Sequence, residues 1–277
     1  MSLSKCYTPS GLEASAKALF AEERSFKRLD GWFLLREAAF AYEEKHPEMP
    51  LVIRTANALQ EAVKMLPLTI SSHAVFAGTQ RDAFARSYAL INPNFRVSTF
   101  NGYCDPTAVY NDIEPSDQIP ASRIEALRET ARRTPFVRDL SKVYEKAKDD
   151  TQEVAFFIEQ VTGHLVPDFR TALKKGVSSL LRQARNCSAA ETNPEKKQQF
   201  EAMAVSLETV LVLAHRYAQI AKQQILSADE PHKAQLAEMI RALERVQVSG
   251  ASDLYQAIQL FIPVSYTHLT LPTIYSV

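Results

Sequence analysis

One stretch of the chain concentrates the residues whose types and spacing could do chemistry: residues 149–176, D-D-T-Q-E-V-A-F-F-I-E-Q-V-T-G-H-L-V-P-D-F-R-T-A-L-K-K-G. Its single imidazole, His164, falls in a glycine–histidine turn between two helical patterns. A histidine held between rigid supports can offer a hydrogen-bond donor or acceptor to a ligand near neutral pH. The same ring could instead satisfy a carbonyl at a helix end, and both readings stand on residue type alone. The cysteines offer less. Cys6, Cys104 and Cys187 are odd in number and widely spaced, which gives neither a C-x-x-C metal pattern nor a disulfide framework and fits a reducing cytosol. Cys104, in Cys-Asp-Pro, has no neighbouring histidine to activate it and reads as a buried or idle thiol. No metal site is expected.

The elements that must position His164 follow from periodicity. Val154, Phe157, Ile158 and Val161 recur at helical spacing behind Asp149 and Asp150 as candidate caps, and Gly163 stops that helix. Pro167 bars helical geometry at the residue before it, and Asp168 can cap a second helix through Phe169, Leu173 and Val177. Upstream, helices are expected over residues 32–42 and from Pro50, the latter burying Leu51, Ile53, Ala56, Leu59, Ala62 and Leu66. Arg54, on the other face, reads as a tie between helices through a carboxylate. Two short β-favouring runs, residues 68–70 and 75–78, suggest a small hairpin near 68–78 with His73 exposed at its tip. Residues 79–121 are irregular, though rich in aromatics. Helices are expected again from Ser122 and Thr134. The longest pattern, residues 195–226, carries Phe200, Met203, Leu207, Val210, Leu211, Ala214, Tyr217, Ile220 and Ala221 as a core stripe, with His215 also inside. Pro231 opens another helix, and a last one covers residues 253–261.

Composition narrows the class. The 277 residues are 46% hydrophobic with only 7 glycines, ordinary for a mainly helical globular chain with a sizeable core. Equal numbers of basic and acidic side chains, 32 each, leave a pI near 7.0 and no global field for nucleic acid or an anionic membrane. The N-terminus lacks a secretory apolar region, and no run approaches the roughly 18 apolar residues of a spanning helix. A cytoplasmic protein is expected, with no nucleic-acid or membrane partner.

Three ordered segments carry a resemblance. V-T-G-H-L-V-P-D-F with Leu173 and Gly176 resembles the G-H-x-x-P-D-[YF]-x-x-[LV]-L-x-x-G segment of the glycyl radical enzymes, the pyruvate formate-lyase superfamily. Phe33-Leu-Leu-Arg-Glu and Pro50-Leu-Val-Ile-Arg-Thr-Ala-Asn-Ala-Leu resemble that family's opening helices. Gly250-Ala-Ser-Asp-Leu-Tyr-Gln-Ala-Ile-Gln resembles its G-A-x-x-[LF]-x-E-A-[LI]-Q helix, with Gln256 where the family has glutamate.

The resemblance implies a mainly α chain, the N-terminal helical part of an α/β barrel that is ten-stranded in the intact parent. It implies a parent that is a carbon–oxygen or carbon–nitrogen lyase of anaerobic metabolism, diol dehydratase-like or choline trimethylamine-lyase-like, working by thiyl hydrogen abstraction. A formate acetyltransferase-type member and a stand-alone helical scaffold without catalysis remain the alternatives. It further implies a glycyl radical installed by a separate S-adenosylmethionine and iron–sulfur activase, no bound cofactor, a small-molecule substrate, and room for a homodimer of the parent. By the same resemblance Gly163, His164 and Asp168 bind substrate, with His164 orienting it or acting as acid–base. The radical glycine and thiyl cysteine are expected to lie beyond these residues. Gly250, although it superficially resembles a radical loop, belongs to the earlier helix-opening segment.

Residues 264–277, V-S-Y-T-H-L-T-L-P-T-I-Y-S-V, continue neither the helix period nor the family pattern. They resemble a translated sequencing adapter, which sets the expected domain at 1–263 with a non-native tail at 264–277. The fragment alone is then expected to be inactive.

Overall fold

The computed structural model describes residues 30–66, 68–70, 74–78, 115–133 and 168–270, with a few isolated positions elsewhere. Gly163, His164, His73, Cys6, Cys104 and the helices expected before residue 30 and over 134–161 lie outside the described residues or only partly within them.

Eight helices are described: α1 (Asp30–Lys45), α2 (Leu51–Met65), α3 (Ala121–Arg133), α4 (Phe169–Lys175), α5 (Val177–Ala190), α6 (Pro194–Gln224), α7 (Glu230–Val248) and α8 (Leu254–Thr270). None is long and apolar enough to cross a membrane. The long α6 is the axis. Asn193 accepts from the Lys196 amide at 3.1 Å and Pro194 occupies the first helical turn, so the start is capped and pre-set in φ. Beyond it the helix buries Val210, Leu213, Ala214, Tyr217, Ala218 and Ala221 in the main core. Ser206 and Thr209, also buried, donate back to the carbonyls of Ala202 and Val205, so no polar group is stranded there.

Around this axis the other helices present small or aliphatic faces. In α2, Ala56, Ala58, Leu59, Ala62 and Val63 are buried, and the alanines let neighbouring backbones approach closely. Leu51, expected inside, is partly exposed. In α7, Leu236, Met239, Ala242 and Leu243 are fully buried behind an Asp229 cap at 3.1 Å to the His232 amide. Helix α3 is tied to α1 by Arg123, which donates from Nε to Glu37 at 2.7 Å, from its second terminal nitrogen to the other Glu37 oxygen, and to the Gln118 carbonyl at 2.9 Å. Its guanidinium also lies 5.5 Å from the centre of the buried Phe33 ring, and the Glu37 contacts raise its pKa.

Four sequence expectations change. No strand forms among the described residues. Ile70 and Ala77 of the two expected runs, and Ala74 between them, are buried in the helical core, and the backbone there bonds to side chains rather than to a partner strand. Arg54 does tie helices, but through the His46 and Pro47 carbonyls in the turn after α1, the latter at 2.9 Å. His215 is exposed, and its neighbour Arg216 is the inward-reaching residue. Helix α8 does not stop at 261; its backbone stays helical through Pro263 to Thr270.

Arg216 explains how α2 ends. Its two terminal nitrogens donate to the Val63 and Leu66 carbonyls, the second at 2.7 Å. A cation therefore sits at the negative end of a helix dipole, and burial lowers its pKa. Arg216→Met keeps the stem but leaves those carbonyls unserved. Urea unfolding should show it less stable by roughly 2–3 kcal/mol, the scale of charged hydrogen bonds; an unchanged midpoint would mean that water serves the carbonyls equally well.

Candidate functional site

The described part of the glycine–histidine segment begins at Asp168, and its local chemistry is complete. The Asp168 carboxylate accepts from the Thr171 amide at 3.1 Å and from the Thr171 hydroxyl at 2.6 Å, closing the first turn of α4. Those bonds, the hydroxyl's first, hold its pKa below the ordinary carboxylate value. A depressed folded-state pKa stabilises the fold above the unfolded value and loses that contribution as pH falls through the carboxylate range. Asp168→Ala should therefore speed amide exchange at Thr171 near neutral pH, with the difference from the unmodified chain shrinking on acidification. A difference that persisted in acid would assign the effect to something other than the carboxylate.

At its other end α4 does not run on through Val177 as expected. It stops at Gly176, whose φ of 75° and ψ of 158° only glycine adopts readily. The cause is a second glycine. A Cβ on Gly176 would fall 2.4 Å from the Ser249 carbonyl carbon, and one on Gly250 would fall 2.5 Å from the carbonyl oxygens of Leu173 and Lys174. The two backbones thus touch directly. Ala251 donates its amide to the Leu173 carbonyl at 3.0 Å, and Arg245 reaches the Gly250 carbonyl at 3.3 Å.

Helix α8 completes the junction. Asp253 accepts from the Gln256 amide at 2.8 Å, while Gln256 accepts from Ser252 and donates to Asp253, a reciprocal cap at the start of the helix. One turn on, Phe261 stacks on Phe169 with ring centres 4.1 Å apart. The segments at 169–176 and 249–261, separated by some seventy residues, therefore meet along one seam. What sequence reasoning missed is the pairing of Gly176 with Gly250. Its signal was present: each is one of only 7 glycines and each immediately precedes helix-forming residues.

Elsewhere the chemistry is sparse. Cys187 is a free thiol on α5, beside an open groove of about 600 Å³ lined by Lys175, Ser179, Arg182, Gln183 and Asn186, with no histidine or carboxylate to activate it there. Among the described residues no group of three or more His, Cys, Asp or Glu is placed to hold a metal ion.

With this geometry in hand, comparison with known proteins is direct. Residues 5–270 match the family described as pyruvate formate lyase-like. The chain is similar in structure to the glycerol-bound B12-independent glycerol dehydratase from Clostridium butyricum, with a TM-score of 0.65, 18% identity, and coverage of 94% of this chain and 34% of that one. It is similar to a glycyl radical enzyme from Archaeoglobus fulgidus, with a TM-score of 0.61, 15% identity, and coverage of 87% and 32%. It is also similar to a protein of 1,2-propanediol dehydration in Roseburia inulinivorans, with a TM-score of 0.66, 17% identity, and coverage of 86% and 30%. At such identities the likeness is one of fold. No curated protein matches the chain, and it spans about a third of the length of the solved structures it resembles.

Proposed function

Because the chain belongs to the pyruvate formate lyase-like family, we propose that it is the N-terminal helical part of a longer glycyl radical enzyme that removes water, or an amine, from a small hydroxylated substrate. The observation that carries this reading is the fold shared over 94% of the chain with a glycerol dehydratase bound to glycerol, supported by the likeness to a protein of 1,2-propanediol dehydration. In the intact parent the glycyl radical, installed by an S-adenosylmethionine and iron–sulfur activase, supplies hydrogen abstraction through a cysteine thiyl. On this reading the radical glycine and the thiyl cysteine belong to later parts of the parent, and residues 264–277 are a non-native addition.

Within the chain, the roles divide between turn and seam. His164 meets the substrate hydroxyl, holds it by a hydrogen bond, and gives a proton as that oxygen departs as water. Gly163 lets the turn approach the substrate closely. Asp168 caps the following helix through Thr171, and each of its oxygens keeps a lone pair for the substrate. Gly250 serves packing, with the Leu173 and Lys174 carbonyls where a side chain would go.

The stand-alone scaffold is the competing reading, and the genomic DNA downstream of codon 262 separates the two. An open frame that reaches a Cys-x-Glu-type loop and then an R-V-x-G loop is the expected result. A native stop soon after codon 262 would overturn the enzyme reading and leave a helical module.

A further inference from the structure

The backbone of Ile70, Ala74, Val75 and Ala77 is read by side chains of three later helices. Gln224 of α6 donates to the Ile70 carbonyl at 2.9 Å, and Gln235 of α7 donates to the Ala74 carbonyl at 2.6 Å. From α8, the Tyr255 hydroxyl donates to the Val75 carbonyl at 2.6 Å, and the Tyr255 ring lies 4.7 Å from Phe76. Gln259, one turn further along α8 and fully buried, makes both bonds that a neighbouring strand would make. Its carbonyl oxygen accepts from the Ala77 amide at 3.0 Å, and its amide donates to the Ala77 carbonyl at 3.2 Å. The next residue, Gly78, takes φ 90°.

We propose that residues 74–78 form a strap which, with Ile70, is locked onto α6, α7 and α8 by polar side chains, with Gln259 as the latch that holds Ala77. A backbone amide and carbonyl buried together must both be satisfied, and no strand or helix is available to Ala77. A carboxamide is the one side chain able to donate and accept in a single plane, which is why a fully buried polar residue stands here in place of an aliphatic one. Opening the strap requires breaking the Gln259 pair, not unfolding the core.

The test uses the full 277-residue chain and hydrogen exchange followed by mass spectrometry. Gln259→Met keeps length and volume but can neither donate nor accept. Exchange over residues 74–78 should rise roughly tenfold or more, while the buried span of α6 around Leu213 and Ala214 stays as slow as before. Unchanged exchange over 74–78 in this variant would show that Gln259 merely fills space and would overturn the proposal. Should Gln259→Met fail to fold, Tyr255→Phe decides: it removes only the Val75 bond and keeps the ring, so a selective rise over 74–78 supports the strap, and no rise there refutes it.

Discussion

Gly176→Ala is expected to cost roughly 3–5 kcal/mol of stability, the largest effect of any single methyl group in the described fold. Two penalties act together. The backbone at φ 75° and ψ 158° lies where a Cβ is strained by about 1–3 kcal/mol. The added carbon would also sit 2.4 Å from the Ser249 carbonyl carbon, a backbone atom that no rotamer change can move aside, and overpacking of this kind costs roughly 1–3 kcal/mol more. Against the about 5–15 kcal/mol that holds a typical domain, such a loss brings the chain close to unfolding at physiological temperature. Gly250→Ala meets the steric part alone, with the Leu173 and Lys174 carbonyls 2.5 Å away, and should lose less. Thermal or urea unfolding of the two variants beside the unmodified chain checks both the size and the order. A Gly176→Ala protein that melts with the parent would show that the backbones separate freely and that α4 is not pinned to the α7–α8 turn.

How much of this was legible in the sequence depended on whether a feature is local. The starts of α6 and α7 are written in Asn193-Pro194 and Asp229 with Pro231, each with a side-chain oxygen and a proline where an uncapped helix needs them. Asp168 as a cap was equally local. The face of α6 was harder. The helix is packed on more than one side, so a single stripe could not describe it: Met203, on the expected stripe, is exposed, and the inward residue is Arg216 rather than the adjacent His215. The hairpin failed for a different reason. Burial and strand pairing favour the same residue types, and whether Ala74 and Ala77 meet a strand or a glutamine depends on α7 and α8, more than 150 residues away. The break at Gly176 carried a local signal, a glycine between two helical runs, but the backbone at Gly250 that it meets lies some seventy residues away. Of the proposed substrate-binding residues only Asp168 lies within the described structure.

His164 carries the sharpest consequence for function. If the turn presents its imidazole to the substrate hydroxyl, His164→Ala in the longer polypeptide removes a positioned acid–base or orienting group. Turnover should then fall by roughly two orders of magnitude, within the ~10²–10⁴ such groups supply. On the proposed function radical installation should be untouched, since the activase would act on a different segment of the longer polypeptide. Asp168→Ala, by contrast, loosens the cap of α4 and acts on stability first. The deciding measurement is made on one anaerobic sample of the activated longer polypeptide carrying His164→Ala: the glycyl doublet by electron paramagnetic resonance, and diol turnover per radical. A full doublet with turnover per radical lowered roughly a hundredfold is the predicted result, and a full doublet with normal turnover would contradict it, returning His164 to the interior of the fold.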